Sequence, residues 1–177
     1  SLSYSGMFCF LSAGSIVYTG LFGVAPKHFG YFFLLNILVM MTATSLNGKF
    51  VTKIGVEKSL RLGLTIQLIA GVWLLVCGIF HLGLWATVVG VATYVGLVSV
   101  VSSSANAAIL DMYPEVAGTA NSLTGMLRFG IGSVVGMLLA LFTIDTERPM
   151  VFAMAICIVV AVISYVGLVR GEPQAHN

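Results

Sequence analysis

PEVAGTANSLTGMLRFGIGSVVG, residues 114–136, carries Arg128 deep inside an apolar run. Residues 117–141 predict one membrane-spanning helix, and Arg128 then lies about 16 Å along it at about 1.5 Å per residue, near mid-bilayer. A guanidinium at that depth costs about 2.5–3.5 kcal/mol or more on insertion scales. It therefore predicts a wet cavity or a polar partner; the alternative is that Arg128 only reaches a neighbouring helix's carbonyl. At 100° per residue, Gly118, Ser122, Gly125, Gly132, Gly136 and Ala140 share one face. Small residues in that pattern let a second helix approach closely, so Gly118, Gly125, Gly132 and Gly136 are the expected packing positions. Asn121, Thr124 and Arg128, three and four apart, form a polar stripe about a quarter-turn away.

The composition sets the solvent. Of 177 residues, 59% are hydrophobic and only 8% charged, with a mean hydropathy of +1.07; an ordinary soluble domain is about 25% charged. This predicts an all-α protein that crosses the lipid bilayer several times. Between Arg61 and Asp111 no Asp, Glu, Lys or Arg occurs, room for two spans of about 20 residues and a turn. No basic block offers a nucleic-acid site. Cys9, Cys77 and Cys157 fall inside spans without metal-ligand spacing and read as small apolar residues. His28, His81 and His176 join no carboxylate or cysteine cluster, so neither a metal centre, a cofactor nor an enzyme is expected. The start, SLSYSGMFCF, has neither an initiator Met nor a basic flank, which suggests a chain beginning in mid-protein.

Six spans follow from the apolar segments: 2–21, 29–46, 60–80, 84–110, 117–141 and 150–169, forming a single transmembrane domain over 1–177. In the first, Ser5, Cys9, Ser12, Ser15 and Thr19 make a small, weakly polar stripe that either packs or lines a cavity. Asn36 interrupts the second and should face the bundle interior, against a transported molecule or another helix. Residues 47–63 read as a basic loop with Lys49, Lys53, Lys58 and Arg61. Asp111, Tyr113 and Pro114 end the fourth span. The side holding the termini carries five basic residues against two, which predicts cytoplasmic termini.

Three stretches carry a resemblance: FGVAPKHFGYFFLLN (22–36), NGKFVTKIG (47–55) and above all ILDMYPEVAGTANSLTGMLRFGIGSVVG (109–136). Through them the whole chain resembles the C-terminal six-helix half of a major facilitator superfamily drug exporter, of the Bcr/CflA (bicyclomycin resistance) group. That resemblance implies a proton-coupled multidrug antiporter of the bacterial inner membrane. Its partners would be an N-terminal six-helix half of the same transporter, a small amphipathic drug and protons, with substrate held near the midplane between halves. It implies a cytoplasmic gating loop matched by Gly48, Lys53, Gly55 and Lys58, although Thr52 stands where the motif has an acid. It places the coupling acid in the other half. On this reading Arg128 centres one wall of the cavity, with Asn121, Thr124 and Asn36 as hydrogen-bonding neighbours. Tyr18 and Tyr94 are either aromatic surfaces for a flat ligand or anchors at the membrane interface. Two other readings stay open: a non-transporting or degenerate six-span protein acting as an assembly partner, and a self-contained six-span channel, for which neither paired Asn-Pro-Ala boxes nor a TVGYG filter is present.

Overall fold

In a computed structural model the described residues, 1–112, 115, 117–140 and 148–171, are almost wholly helical. Tyr113, Pro114, Asp145, Glu147 and the tail from residue 172 lie outside them. Helix α1 is Leu2–Ile16 and runs on into a π turn, Val17–Leu21. The others are α2, Pro26–Ile54; α3, Val56–Phe80; α4, Leu84–Met112; α5, Ala117–Ala140; and α6, Arg148–Gly171. Five of them, α2 to α6, are long and apolar enough to cross a membrane, and α1 with its π turn is about 30 Å long at about 1.5 Å per residue. The architecture is all-α, a six-helix bundle that spans the bilayer repeatedly.

Turn chemistry sets the reversals. Pro26 occupies the first turn of α2, where its missing N–H costs nothing. Between α3 and α4 the chain turns through His81 at φ 49° and Gly83 at φ 90°. Between α2 and α3 only Gly55 leaves the helix, at φ 85° and ψ 159°. The expected basic loop over 47–63 is thus corrected to two helix ends meeting at one glycine. Polar residues at a helix end are compatible with helix, and only Gly55 supplies a conformation that other residues rarely adopt. Helix α2 has 29 residues, about 43 Å, so its end projects beyond a hydrocarbon core about 30 Å thick.

Small residues decide which helices touch. A methyl group on Gly71 would meet Ile158 at 2.6 Å and one on Gly96 would meet Val39 at 2.6 Å, so α3 packs on α6 and α2 on α4 at the distance a bare backbone permits. Helices α1 and α5 run parallel. Tyr4 faces Arg128, Phe8 faces Gly132 and Ser12 faces Gly136, each partner 124 positions further on. Gly132 and Gly136 are therefore buried packing positions. Gly118 and Gly125 are not, because in this register they fall before α1 or opposite Ser1, and a Cβ added to either would meet nothing within 4 Å.

The core lies between α1, α3, α4 and α6. Tyr94 is fully buried there, with its ring against Gly6 and its hydroxyl donating to the Met154 carbonyl at 3.2 Å. Gln67, also fully buried, donates to the Tyr94 carbonyl at 3.4 Å and accepts from Ser3 at 2.6 Å. Tyr18 is buried among Phe10, Phe22, Phe29 and Phe32. Both tyrosines, expected as surfaces for a flat ligand or as anchors at the membrane interface, are core residues: each hides a large apolar ring, and the Tyr94 hydroxyl is satisfied on a backbone carbonyl. Only the first part of the stripe along α1 is buried, and Ser15 is exposed. Ser5 and Cys9 are buried, Ser12 meets Gly136, and Ser5 and Thr19 hydrogen-bond to carbonyls one turn back. All three cysteines are buried, and none is joined in a disulfide.

A leucine at Gly132 would have to displace Phe8 of α1. Gly132→Leu should lower the thermal midpoint of the full-length protein in detergent, at a cost of about 1–3 kcal/mol. Gly130→Ala, two residues earlier and with nothing within 4 Å, should leave that midpoint unchanged or slightly higher.

Candidate functional site: the Arg128 cleft

Arg128 projects from α5 into a cleft of about 230 Å³ between α1, α4 and α5, lined among others by Ser3, Tyr4, Ser102 and Thr124. Helical side chains lean towards the helix N-terminus, and a long arginine carries its charge further that way. The guanidinium thus reaches the level of Asn106, six residues before the end of α4. Its Nη2 donates to Asn106 Oδ1 at 3.2 Å, and its central carbon sits 5.0 Å from the Tyr4 ring centroid, within cation–π range. Nε is buried with no hydrogen-bond partner. Tyr4 is held in turn by Phe8 and Phe129, each with ring centroids 6.0 Å away.

The polar stripe is only partly assembled at this site. Thr124 lines the cleft, its hydroxyl turned back to the Ala120 carbonyl at 2.8 Å. Asn121 is exposed on the outside of α5. Asn36 is buried, but in a separate small groove with Phe10, Met40 and Val95. Asn106, Ser102 and Tyr4 were not singled out from the sequence as site residues. The polar end of α4, with Ser99, Ser102, Ser103, Ser104 and Asn106, was the available signal; Tyr4 needed the α1–α5 register. Among the described residues no acid lines the cleft. Among the described residues Asp111 and Glu115 are exposed near the end of α4, and the one ion pair, Arg61 to Glu57 at 2.6 Å, lies on the outer face of α3.

A second polar set pins the α2–α3 corner. Asn47 of α2 donates to Ser104 of α4 at 3.4 Å and accepts from Ser59 of α3, while Ser104 donates to Ser59 at 3.3 Å. One turn earlier Thr44 and Ser99 pair at 2.7 Å. Gly48, Lys53 and Lys58 are exposed beside this corner, and Thr52, in the place of the motif's acid, donates to the Lys49 carbonyl at 3.0 Å. What holds the corner is therefore neutral hydrogen bonding to α4.

No protein-family model matches the chain, and no solved structure matches it. The bicyclomycin resistance protein homolog of Haemophilus influenzae is 47% identical over 165 residues, which are 93% of this chain and 42% of that protein. The MFS-type transporter YdgK of Bacillus subtilis, itself uncharacterized, is 27% identical over 167 residues, 94% of this chain and 41% of that protein. The chain spans about two fifths of the length of these curated relatives.

Asn47→Ala removes the only group that bonds to both α3 and α4 at the corner. It should destabilise the full-length protein by about 1–2 kcal/mol and speed amide exchange around Gly55, measured by hydrogen–deuterium exchange. Thr52→Ala, whose hydroxyl is served by its own helix, should change neither.

With near-complete coverage of this chain at 47% identity and an all-helical bundle of six helices, the chain is strongly homologous to a protein of the bicyclomycin resistance (Bcr/CflA) group and has the fold of half a major facilitator superfamily transporter.

Proposed function

We propose that this chain is the C-terminal half of a proton-coupled multidrug exporter of the bacterial inner membrane, working by alternating access against an N-terminal six-helix half. The observation that carries the reading is the 47% identity over 93% of the chain to a protein named for bicyclomycin resistance, of which the match occupies only 42%. Helices α2 and α5 fit the same reading, since their apolar residues, Leu34, Met41, Phe50, Met126 and Met137 among them, are exposed along both helices. The excess of Lys and Arg at the α2–α3 corner supports cytoplasmic termini.

In this function the Arg128 cleft is one wall of the transport cavity. A cation held inside the bundle by neutral partners is a point of electrostatic recognition, while Thr124 and Asn106 supply hydrogen-bonding groups beside it. Asn121 and Asn36 stand apart from that wall and would act elsewhere on the half. The coupling acid and the opposite wall belong to the other half.

In the full-length protein Arg128→Ala should abolish drug resistance in a susceptible host while membrane insertion stays intact; resistance at the wild-type level would remove Arg128 from the mechanism. The six-helix chain alone should show no proton-driven efflux in proteoliposomes, and activity should appear only when both halves are reconstituted together. Efflux by the six-helix chain alone would overturn the two-half reading.

A further inference from the structure

We propose that the cleft between α1, α4 and α5 receives a carboxylate, and that Asn106 is the neutral group holding the Arg128 guanidinium until that carboxylate arrives. This rests on the reading of the chain as half of a transporter. Arginine stays charged in any protein environment. Here it faces a neutral amide oxygen at 3.2 Å and a phenol ring, and a charge-assisted bond to a carboxylate is shorter, about 2.7–2.9 Å, and roughly twice as strong as a neutral one. The Nε and Nη2 hydrogens point along one edge of the guanidinium, the edge that a carboxylate engages with both oxygens. On that edge Nη2 is occupied by Asn106 and Nε, though buried, has no acceptor.

A buried donor without an acceptor is a cost to the fold, so the present arrangement is the incomplete one of two. Moving the Asn106 amide aside opens the whole edge at once. Charge selects the ligand further. Arg128 is the one charged side chain among the described lining residues, so a monoanion neutralises it. A phosphate dianion would leave a net charge in a medium of low dielectric, and a halide would engage the two donors with a single centre. The hydroxyls of Ser102 and Thr124 complete a polar rim. The carboxylate can come from the transported molecule or from an acidic side chain facing the cleft in the rest of the protein; the chemistry at Arg128 is the same.

The test uses the full-length transporter and two fluorescent dyes that differ only as free carboxylic acid and methyl ester. Asn106→Asp supplies a permanent carboxylate on the spot, and Arg128→Gln removes the charge while keeping a polar side chain. Asn106→Asp should raise the thermal midpoint by several degrees, through an ion pair with Arg128, and lower efflux about tenfold or more. If the carboxylate is the substrate's, both variants lose export of the acid and keep export of the ester. If it belongs to the protein, both dyes are lost together, and second-site revertants of Arg128→Gln replace an Asp or Glu elsewhere in the chain.

Wild-type export of both dyes by both variants, or an unchanged or lower midpoint for Asn106→Asp, would overturn the carboxylate site. Should the wild-type protein export neither dye, the transporter reading fails by itself, and the midpoint of Asn106→Asp still decides for or against the site.

Discussion

Helices dissolved in hydrocarbon gain little by burying leucine against leucine, because lipid tails are as apolar as the partner helix. What joins these six helices is close approach at small residues and hydrogen bonds that lipid cannot replace. Gly71 against Ile158, Gly96 against Val39 and Gly136 against Ser12 are contacts of the first kind. Tyr94, Gln67 and Ser3 supply the second, tying α4 to α6, α3 and α1 through groups that are each fully or almost fully buried. The apolar side chains that remain, on α2 and α5 above all, face outward, as the solvent requires.

From that constraint the position of the guanidinium follows. Close approach at Gly132 and Gly136 fixes α1 parallel to α5, and the same register one turn earlier puts Tyr4 beside Arg128. Helix α4 precedes α5 in the chain and packs on α2 and α3, so its last three turns pass the cleft and present Ser102 and Asn106 to it. The site thus needs no special backbone. It arises where a packing face and a polar face on one helix meet two different neighbours. The cation–π contact and the Asn106 bond are worth about 0.5–2 and about 1.5–3 kcal/mol in general, comparable with the insertion cost of the charge. Arg128 is therefore tolerated without an acid, though with one donor idle.

The sequence made the spans and the intramembrane charge legible, since composition and a 3.6-residue period report directly on lipid and on helix faces. It did not say which face meets which helix. Gly118 and Gly125 share their face with Gly132 and Gly136, yet only the latter two lie opposite α1, a matter of register between helices more than a hundred residues apart. Tyr94 looked like a ligand surface because nothing in the sequence indicates that Gly6 clears room for its ring. The α2–α3 corner looked like a loop because its residues are charged and polar, whereas the backbone needs only Gly55 to turn. Asn121 and Asn36 shared a polar character with Arg128 but not a neighbourhood, and Asn106 lay in a polar run whose orientation only the packing of α4 decides.

The polar groups of this half divide into closed and open sets. Ser3, Gln67 and Tyr94 form one closed set and Asn47, Ser59 and Ser104 another; their members are neutral and bond to each other or to backbone. Closed sets bind helices into a body that moves as one, as the rocking mechanism proposed above would require. The Arg128 set is open: it is charged, one donor has no acceptor, and its cleft has room to spare. Neutral closed networks and a single charged open one impose different constraints on change. Replacing a member of a closed set leaves a buried group unpaired within the bundle and is felt as stability. Replacing Arg128 relieves an idle donor and a buried charge, so it need cost the fold little.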